Sequence, residues 1–325
     1  MKRISIVLLA LLVSCGSICA QSKNLEKVIF TPQWSAQAQF AGYYAAKELG
    51  FYKEEGLDVE IVYQSTNNSA TDMLGAGQTN IISSKFIEAI ILKDKFLHSQ
   101  GSEGLDLVNV MQVIPNSTSI ILSQTPLNKS LDSLKNKKIS ISYLDYDGII
   151  TSLLRKKEIA VEWIKIEGGV NVFLSESVDA TVGQSYSELR TVKETGKEIG
   201  EEHIIRATEL GYDIPEDGLY TTAKYASKNK DIIERFKKAS IKGWLWAIEN
   251  EDKAVKFVIK ETNKNNISTN SYHQLEMLKE FKNIGVGESL NSFVISEEEF
   301  DNYIFKIKNL DLLKTNVIYK QFIIK

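Results

Sequence analysis

Cysteine and histidine are scarce in this sequence of 325 residues. Both cysteines, Cys15 and Cys19, lie within the first twenty residues, so the rest of the chain offers no disulfide, no thiolate nucleophile and no cysteine metal site. The three histidines, His98, His203 and His273, are far apart, and none has a second ligand-type residue at metal-site spacing. The sequence therefore predicts no metal site, no thiolate chemistry and no cofactor.

A strong net charge is also missing. Lysine and arginine number 39 against 42 aspartates and glutamates, a formal net charge of −3, and the basic residues are spread along the chain. Such a chain has no electrostatic footprint for nucleic acid, so a nucleic-acid partner is not expected. The length and a 43% share of hydrophobic residues allow two domains, each with a sizeable core.

The N-terminus has the composition of an export signal. Lys2 and Arg3 precede the apolar run 4–13, which is too short to span a membrane. Two cleavage patterns are present: residues 12–15 have the form of a lipobox, which would leave Cys15 acylated, and residues 18–20 resemble an ordinary signal-peptidase site. We therefore expect a signal peptide over residues 1–20 and a periplasmic protein, or one on the outer face of the cytoplasmic membrane, with lipid anchoring through Cys15 left open.

Residues 28–63 predict a βαβ unit. The apolar run 28–30 ends at Pro32, and apolar residues at helical spacing follow over residues 40–47. Gly50 ends this helix, and apolar and polar residues alternate over 57–63, which is typical of a strand. A βαβ unit brings the loop after its first strand to the carboxyl edge of a parallel sheet, where open α/β folds bind ligands.

The alternation of strands and helices continues along the chain. Further strands are predicted at 80–82, 107–114 and 119–122, which complete one doubly wound lobe. A polar stretch follows over 123–138, and the strand 139–142 is predicted to begin a second lobe.

Short motifs follow one another in a fixed order from Trp34 onward: Trp34, the run 37–44, Ala46-Lys47, the runs 50–52 and 55–59, LDSLKNKK at 131–138, Val178-Asp179-Ala180, Glu188, Gly243-Trp244, and Ala247 with Glu249 and Asn250. Together they resemble the substrate-binding proteins of ABC importers, and among these the branch related to thiamine-pyrimidine-precursor binding proteins and to the fungal pyrimidine synthase. The resemblance covers nearly the whole mature chain. Each motif is weak alone, whereas their order and spacing are specific.

The resemblance implies an α/β fold of the type II periplasmic binding proteins, with two doubly wound lobes and a ligand cleft between them. Residues 22–122 and 217–325 are then expected to form lobe 1, with the C-terminal helices packed on it, and residues 123–216 to form lobe 2. Two crossing strands, near Ile120 and near Ala207 or Leu219, would act as a hinge.

Ligand contacts are expected from loops of both lobes. From lobe 1 the candidates are Trp34, Gln37, Gln39, Phe40, Tyr43, Ser83, Ser84 and Asn116, and from lobe 2 they are Asp145, Tyr146, Tyr186 and Glu188. Aromatic rings with a carboxylate suit a flat, nitrogen-rich heterocycle, which Trp34 and Tyr186 would sandwich while Glu188 accepts hydrogen bonds. The resemblance implies that these three residues hold an aminopyrimidine. Arginine is absent from these loops, which disfavours a sulfonate or nitrate ligand.

Simpler interpretations compete with several of these assignments. Trp34 could instead cap the core at the sheet edge, and at least one of Tyr43 and Tyr44 is expected to pack in the core. Glu188 would also suit the first turn of the helix that follows it. Asp217, just before the returning strand, is a weaker candidate for the cleft.

The resemblance implies a monomer that captures a small pyrimidine-type thiamine precursor and passes it to an ABC permease in the membrane, without catalysis. A fungal-type synthase would need a histidine in the Trp34 loop, a nearby lysine for pyridoxal phosphate and a cysteine-rich segment. Here Phe40 occupies the aligned histidine position, and residues 31–42 contain no lysine. The alternatives are a relative of the precursor, another small solute such as a sulfonate, or a sensor lobe for a signalling partner.

Overall fold

The structure is a computed structural model that describes residues 25–65, 67–142, 148–286 and 295–324. The expected signal peptide with Cys15 lies outside the described residues, as do two candidate site residues, Asp145 and Tyr146. Ten strands are described: β1 (Glu26–Thr31), β2 (Leu57–Ile61), β3 (Ile81–Lys85), β4 (Leu107–Gln112), β5 (Ser119–Ser123), β6 (Lys138–Ser142), β7 (Glu162–Ile166), β8 (Ala180–Gln184), β9 (Ile204–Arg206) and β10 (Asp217–Thr222).

The described α-helices are α1 (Ala41–Glu48), α2 (Phe51–Glu54), α3 (Ala70–Gly75), α4 (Phe86–His98), α5 (Ile149–Lys156), α6 (Asn171–Leu174), α7 (Glu188–Glu194), α8 (Ala223–Lys228), α9 (Lys230–Glu249), α10 (Glu251–Lys264), α11 (Ser271–Asn283), α12 (Glu297–Lys308) and α13 (Tyr319–Phe322). Within this part of the chain, no helix combines the length and the apolar character needed to cross a bilayer.

Two five-stranded sheets form the two lobes. The sheet of lobe 1 has the order β2-β1-β3-β10-β4, and the sheet of lobe 2 has the order β7-β6-β8-β5-β9. In lobe 1, β1 runs parallel to β2 and β3, while β10 returns antiparallel between β3 and β4. The predicted βαβ unit and the predicted two-lobed α/β class are therefore confirmed.

Local sequence signals explain where these elements begin and end. The alternation in β2 buries Leu57 and leaves Asp58 exposed, because successive side chains of a strand face opposite sides. Gly50 has a φ of 80°, a left-handed conformation that ends the helical run before it. Ser69 and Asp72 form a reciprocal capping box that starts α3.

Strand β5 belongs to lobe 2, where it pairs antiparallel with β8 and β9. The sequence pattern places residues 119–122 in lobe 1 and the boundary after them, and this prediction is wrong. An apolar strand has the same period of two in either sheet, so its pattern does not reveal which sheet it joins. The polar break at Pro115 is the better boundary signal, and the lobes are connected through residues 113–118 and 207–216.

The two connections lie side by side and are hydrogen-bonded to each other. The backbone N–H of Ser117 donates to Oδ1 of Asp213 over 2.8 Å, and the N–H of Glu216 donates to the carbonyl of Ile114 over 3.1 Å. The carbonyl of Asp217 in turn accepts the N–H of Ile114 over 3.0 Å. Asp217, the first residue of β10, therefore stands where the chain re-enters lobe 1.

The sequence pattern predicts that the C-terminal helices pack on lobe 1, but the structure shows that they contact both lobes. Helices α9 and α10 pack against α1 of lobe 1. In α12, however, Phe300 lies in a buried cluster that contains Phe86 of lobe 1 and Ile139 of lobe 2. Lys156 of lobe 2 also donates to the carbonyl of Asn309 at the end of α12. Helix α12 and the residues that follow it therefore contact both lobes.

Helices α1 and α9 approach closely because glycine lies on both sides of their contact. A Cβ added to Gly42 would come within 2.1 Å of Cγ of Trp244, and one added to Gly243 within 2.1 Å of the Gly42 carbonyl oxygen. Trp244 is fully buried and meets the ring of Tyr43 edge-on, with centroids 5.7 Å apart. The backbone approach of the two helices thus requires glycine at both positions.

We predict that Gly243→Ala destabilises the fold by about 1–3 kcal/mol, because overpacking of a filled core forces backbone shifts. Denaturant unfolding measures this change. Gly75→Ala is the matched control, since a Cβ at this exposed helical position would come no closer than 3.1 Å, to the side-chain tip of Leu105. Equal losses of stability in the two variants would contradict the prediction.

Candidate ligand-binding cleft

A cavity lies between the lobes, at the loops that follow β1, β3 and β8. Its volume is about 80 Å³, against about 10–15 Å³ needed by the same measure to hold one water. Predicted site residues that line it are Trp34, Gln37, Gln39, Ser83, Ser84, Tyr186 and Glu188. The space therefore suits a small molecule that is held by both lobes.

Trp34 extends across the cleft from lobe 1. A Cβ added to Gly168 of lobe 2 would lie 3.2 Å from Cζ2 of the indole, so the ring rests against the backbone of the opposite lobe. Trp34 is half-buried and also packs against the core of lobe 1. The indole thus caps that core and lines the cavity at once.

Tyr186 lines the cavity from lobe 2 and is buried. Its ring packs on Phe281 of α11, with centroids 4.7 Å apart and an angle of 39° between the planes. Phe281 belongs to the part of the chain that packs on lobe 1, so this aromatic pair also joins the lobes. The sandwich of a ligand ring between Tyr186 and Trp34 stays a prediction.

Glu188 is the first residue of α7 and lines the cavity. Its Oε2 accepts the backbone N–H of Gln184 over 2.8 Å, so the side chain folds back over the end of β8. A Cβ at Gly183 would lie 2.5 Å from Cβ and Cγ of Glu188, so only glycine leaves room for this fold-back. Glu188 therefore both starts the helix and places a carboxyl group in the cleft.

The two predicted serines line the cavity and orient their neighbours. Oγ of Ser83 accepts the backbone N–H of Gln33 over 3.0 Å, and Oγ of Ser84 donates to Oε2 of Glu88 over 2.6 Å. The N-cap of α4 is Lys85, which makes no side-chain capping bond. Neither serine therefore caps α4.

Three predicted contacts lie away from the cavity. Phe40 and Tyr43 are buried in the core of lobe 1, where the ring of Tyr43 lies 4.7 Å from that of Phe30. Both lie at the start of α1, on the side that packs into the core, and the sequence spacing does not show which side of the helix faces the ligand. Asn116 is exposed, and its Nδ2 donates to the carbonyl of Ile284 over 3.1 Å.

Asp217 lies next to the loop that follows β1 and fixes the side chains of the glutamines in that loop. Its Oδ1 accepts from Nε2 of Gln33 over 2.6 Å, and its Oδ2 accepts from Nε2 of Gln39. Oε1 of Gln39 in turn accepts from Nε2 of Gln37. Burial raises the pKa of Asp217 to about 7, and the nearby charge of Glu216 adds to this effect, while the hydrogen bonds from the glutamines oppose it.

We predict that Asp217 lowers stability as the pH rises. Below about pH 4 the group is protonated in both states, and between about pH 4 and its native pKa only the unfolded chain loses the proton. The free energy of unfolding should therefore fall through this window by up to about 4 kcal/mol and then level off.

The measurement is the difference in unfolding free energy between Asp217→Asn and the parent, followed from about pH 4 to about pH 8. As the pH rises, the free energy of unfolding of the variant should increase relative to that of the parent. Asp58→Asn, on the exposed side of β2, controls for the substitution itself. A difference that does not change with pH would contradict the predicted role of Asp217.

Several lining residues were not predicted. They are Gln33, Gln64, Ser69, Ala70, Thr71, Lys85, Glu88, Ser142, Gly168, Gln184 and Ser187. Gln33 and Gln184 lie at strand ends, a position that the βαβ rule already favours. Gln64 has no such signal: its Nε2 donates to the Gln33 carbonyl and its Oε1 accepts the N–H of Ala70, so only the folded chain reveals its role.

Lys85 is the only lysine among the described residues of the cavity lining. It pairs with Asp217 in the β3–β10 register, and it is the type of group that pyridoxal phosphate would require. The sequence pattern over residues 31–42 does not reveal it. Among the described residues, no group of three or more His, Cys, Asp or Glu side chains is placed to hold a metal ion.

Outside the cavity, α7 of lobe 2 meets α11. Arg190 forms an ion pair with Glu276, and Nδ1 of His273 lies 2.9 Å from Oε2 of Glu194. These pairs, together with the packed rings of Tyr186 and Phe281, hold the lobes together along one edge of the cleft.

The protein family described as NMT1/THI5 like matches residues 37–254, more than half of the chain. The chain belongs to the NMT1/THI5-like family. This finding confirms the predicted resemblance, and the matched segment contains the described lining residues from Gln37 to Glu188.

Three known proteins illustrate this relationship. The formylaminopyrimidine-binding protein of Halalkalibacterium halodurans is 23% identical over 274 residues, which cover 79% of this chain and 78% of the relative. The 4-amino-5-hydroxymethyl-2-methylpyrimidine phosphate synthase of Candida albicans is 22% identical over 232 residues, 66% of each chain. The periplasmic aliphatic sulphonate binding protein SsuA of Escherichia coli has a similar fold, with a TM-score of 0.58 at 14% identity, over 80% of this chain and 83% of that one.

Proposed function

We propose that this protein is an exported solute-binding protein that captures a small pyrimidine-type thiamine precursor for an ABC importer. The observation that carries the proposal is the small cavity between two lobes, with Trp34 on one side and Tyr186 and Glu188 on the other. The formylaminopyrimidine-binding relative supports the ligand class. The periplasmic location and the permease partner rest on the expected signal peptide and on the family.

The chemistry of the cavity fits a flat ring with N–H donors. Trp34 and Tyr186 offer aromatic surfaces for stacking. The carboxyl group of Glu188 and the amide oxygens of the glutamines are hydrogen-bond acceptors, and a charge-assisted bond to a carboxylate is roughly twice as strong as a neutral one. An aminopyrimidine supplies both the ring and the donors.

We propose binding without bond making, although the family includes synthases. Phe40 occupies the aligned histidine position and is buried in the core, away from the cavity. Residues 25 to 325 contain no cysteine. Lys85 alone does not supply the set of groups that the synthase chemistry would need.

A sulfonate is the second candidate, and Lys85 in the cavity lining is the observation that favours it. An ammonium group would attract the anionic head of such a ligand. The carboxyl groups of Glu88 and Glu188 in the same lining oppose it, since like charges repel. The balance of charge around the cavity therefore favours the pyrimidine.

Thermal unfolding of the mature protein against a ligand panel tests the proposal. The panel contains hydroxymethyl-aminopyrimidine, formylaminopyrimidine, thiamine, taurine and an alkanesulfonate. A ligand at a hundredfold excess over its dissociation constant stabilises the folded state by about 2.7 kcal/mol, which is a measurable shift. We expect a shift with an aminopyrimidine. A shift with a sulfonate alone would overturn the ligand class and keep the binding role.

We predict that Glu188→Gln weakens binding of the aminopyrimidine by about 2 kcal/mol, because a charged acceptor is replaced while the size is kept. The glutamine carbonyl can still accept the N–H of Gln184, so the local fold should survive. Isothermal titration measures the affinity, and Glu198→Gln, which is exposed on the same lobe, is the control. An unchanged affinity would remove Glu188 from the site.

We also predict that Trp34→Ala weakens binding by about 1–2 kcal/mol through loss of ring stacking. Trp246→Ala is the matched control, because Trp246 is stacked on Phe257, with centroids 5.7 Å apart, and does not line the cavity. The control should lower the melting temperature and leave the affinity unchanged. If both variants bind as tightly as the parent, Trp34 does not stack on the ligand.

A further inference from the structure

One hydrogen-bond acceptor in the cleft is left without a partner. Oε1 of Gln33 is buried and has no hydrogen-bond partner in the described part of the chain, although Gln33 lines the cavity. An unsatisfied buried acceptor is unfavourable, so it is either a defect or a group reserved for a ligand. The backbone of Gln33 is held on both sides: its N–H donates to Oγ of Ser83, and its backbone carbonyl oxygen accepts from Nε2 of Gln64.

The hydrogen bond to Asp217 determines which end of the Gln33 side-chain amide remains without a partner. An ionised carboxylate only accepts hydrogen bonds, so each glutamine that bonds to it must turn its NH₂ group towards it. Both Gln33 and Gln39 do so, one on each carboxylate oxygen. The Gln33 carbonyl oxygen is therefore the end that Asp217 does not use.

The bond between Asp217 and Gln39 orients a further amide, that of Gln37, in the same way. Because Gln39 directs its Nε2 to Asp217, its Oε1 accepts from Nε2 of Gln37. This bond uses the NH₂ end of Gln37, which also lines the cavity. Asp217 thus orders two amides of the lining, Gln33 directly and Gln37 through Gln39, with their acceptor ends left for other partners.

We infer that Asp217 is a positioning residue for ligand specificity. By ordering Gln33, Gln39 and Gln37, it turns hydrogen-bond acceptors towards the cavity on this wall of the cleft. Such a wall selects a heterocycle that presents an N–H donor there over one that presents an acceptor. The inference rests on the proposed function and deepens it. An amino substituent on the ring can donate a hydrogen bond to these acceptors. A carbonyl oxygen in its place is itself an acceptor, so no hydrogen bond forms.

The test compares two pyrimidines that differ only at this substituent: hydroxymethyl-aminopyrimidine and its deaminated 4-oxo counterpart. Titration calorimetry at about pH 8, where Asp217 is ionised, gives the ratio of their affinities. We expect the parent protein to prefer the amino compound by at least about tenfold, the ratio that corresponds to about 1.4 kcal/mol.

Asp217→Asn should reduce this preference at least about fivefold, which corresponds to about 1 kcal/mol. Asparagine offers one acceptor and one donor, so one glutamine must turn its carbonyl inward. If Gln33 turns, it presents NH₂ to the cavity, and if Gln39 turns, Gln37 must turn as well and present NH₂ instead. Either way one acceptor of the wall becomes a donor. Asp58→Asn should leave the preference unchanged.

A melting curve shows whether Asp217→Asn is folded, and an unchanged ratio in the folded variant overturns the inference. If that variant does not fold, Gln33→Met decides, since it keeps the size of the side chain and removes the acceptor. Retention of the full amino preference by Gln33→Met would then overturn it. Equal binding of the two pyrimidines by the parent overturns the inference and leaves the proposed function standing. Binding of neither pyrimidine overturns both.

Discussion

The buried carboxyl group of Asp217 is the constraint on which the cleft depends. The chain leaves lobe 1 after β4 and returns in β10, and the return places Asp217 beneath the loop that follows β1. A buried carboxylate needs hydrogen-bond donors, and two glutamines of that loop supply them. The same bonds that offset the burial of Asp217 therefore order the loop that carries Trp34 and set the polarity of the cavity wall.

Residues of both lobes line the cavity, and contacts between the lobes hold the cleft together. Glu188 and Tyr186 enter the cavity from lobe 2 because β8 ends at its edge and α7 begins there. Phe281 supports Tyr186 from behind, and the pair of Arg190 with Glu276 closes the same edge. A ligand bound by Trp34 on one lobe and Glu188 on the other would favour the arrangement in which these contacts form, which is how binding stabilises one state of a hinged protein.

The sequence was sufficient for local elements and for the loops that face the cleft. The βαβ unit, Trp34 and Glu188 follow from strand ends and from the family motifs. The bond between Gln33 and Asp217 joins residues 184 positions apart, so no local pattern reveals it. The prediction of Phe40 as a ligand contact is wrong because helical spacing does not show which side of α1 meets α9. The assignment of β5 to lobe 1 is wrong because its apolar pattern suits either sheet.

The most direct test of this account is a crystal structure of the protein with hydroxymethyl-aminopyrimidine, grown at about pH 8, where Asp217 is ionised. The account predicts the ring against the indole of Trp34, with N–H donors within hydrogen-bond distance of Oε1 of Gln33 and of the carboxyl group of Glu188. A pyrimidine bound outside the cleft, or one that turns a ring acceptor towards Gln33, would contradict it.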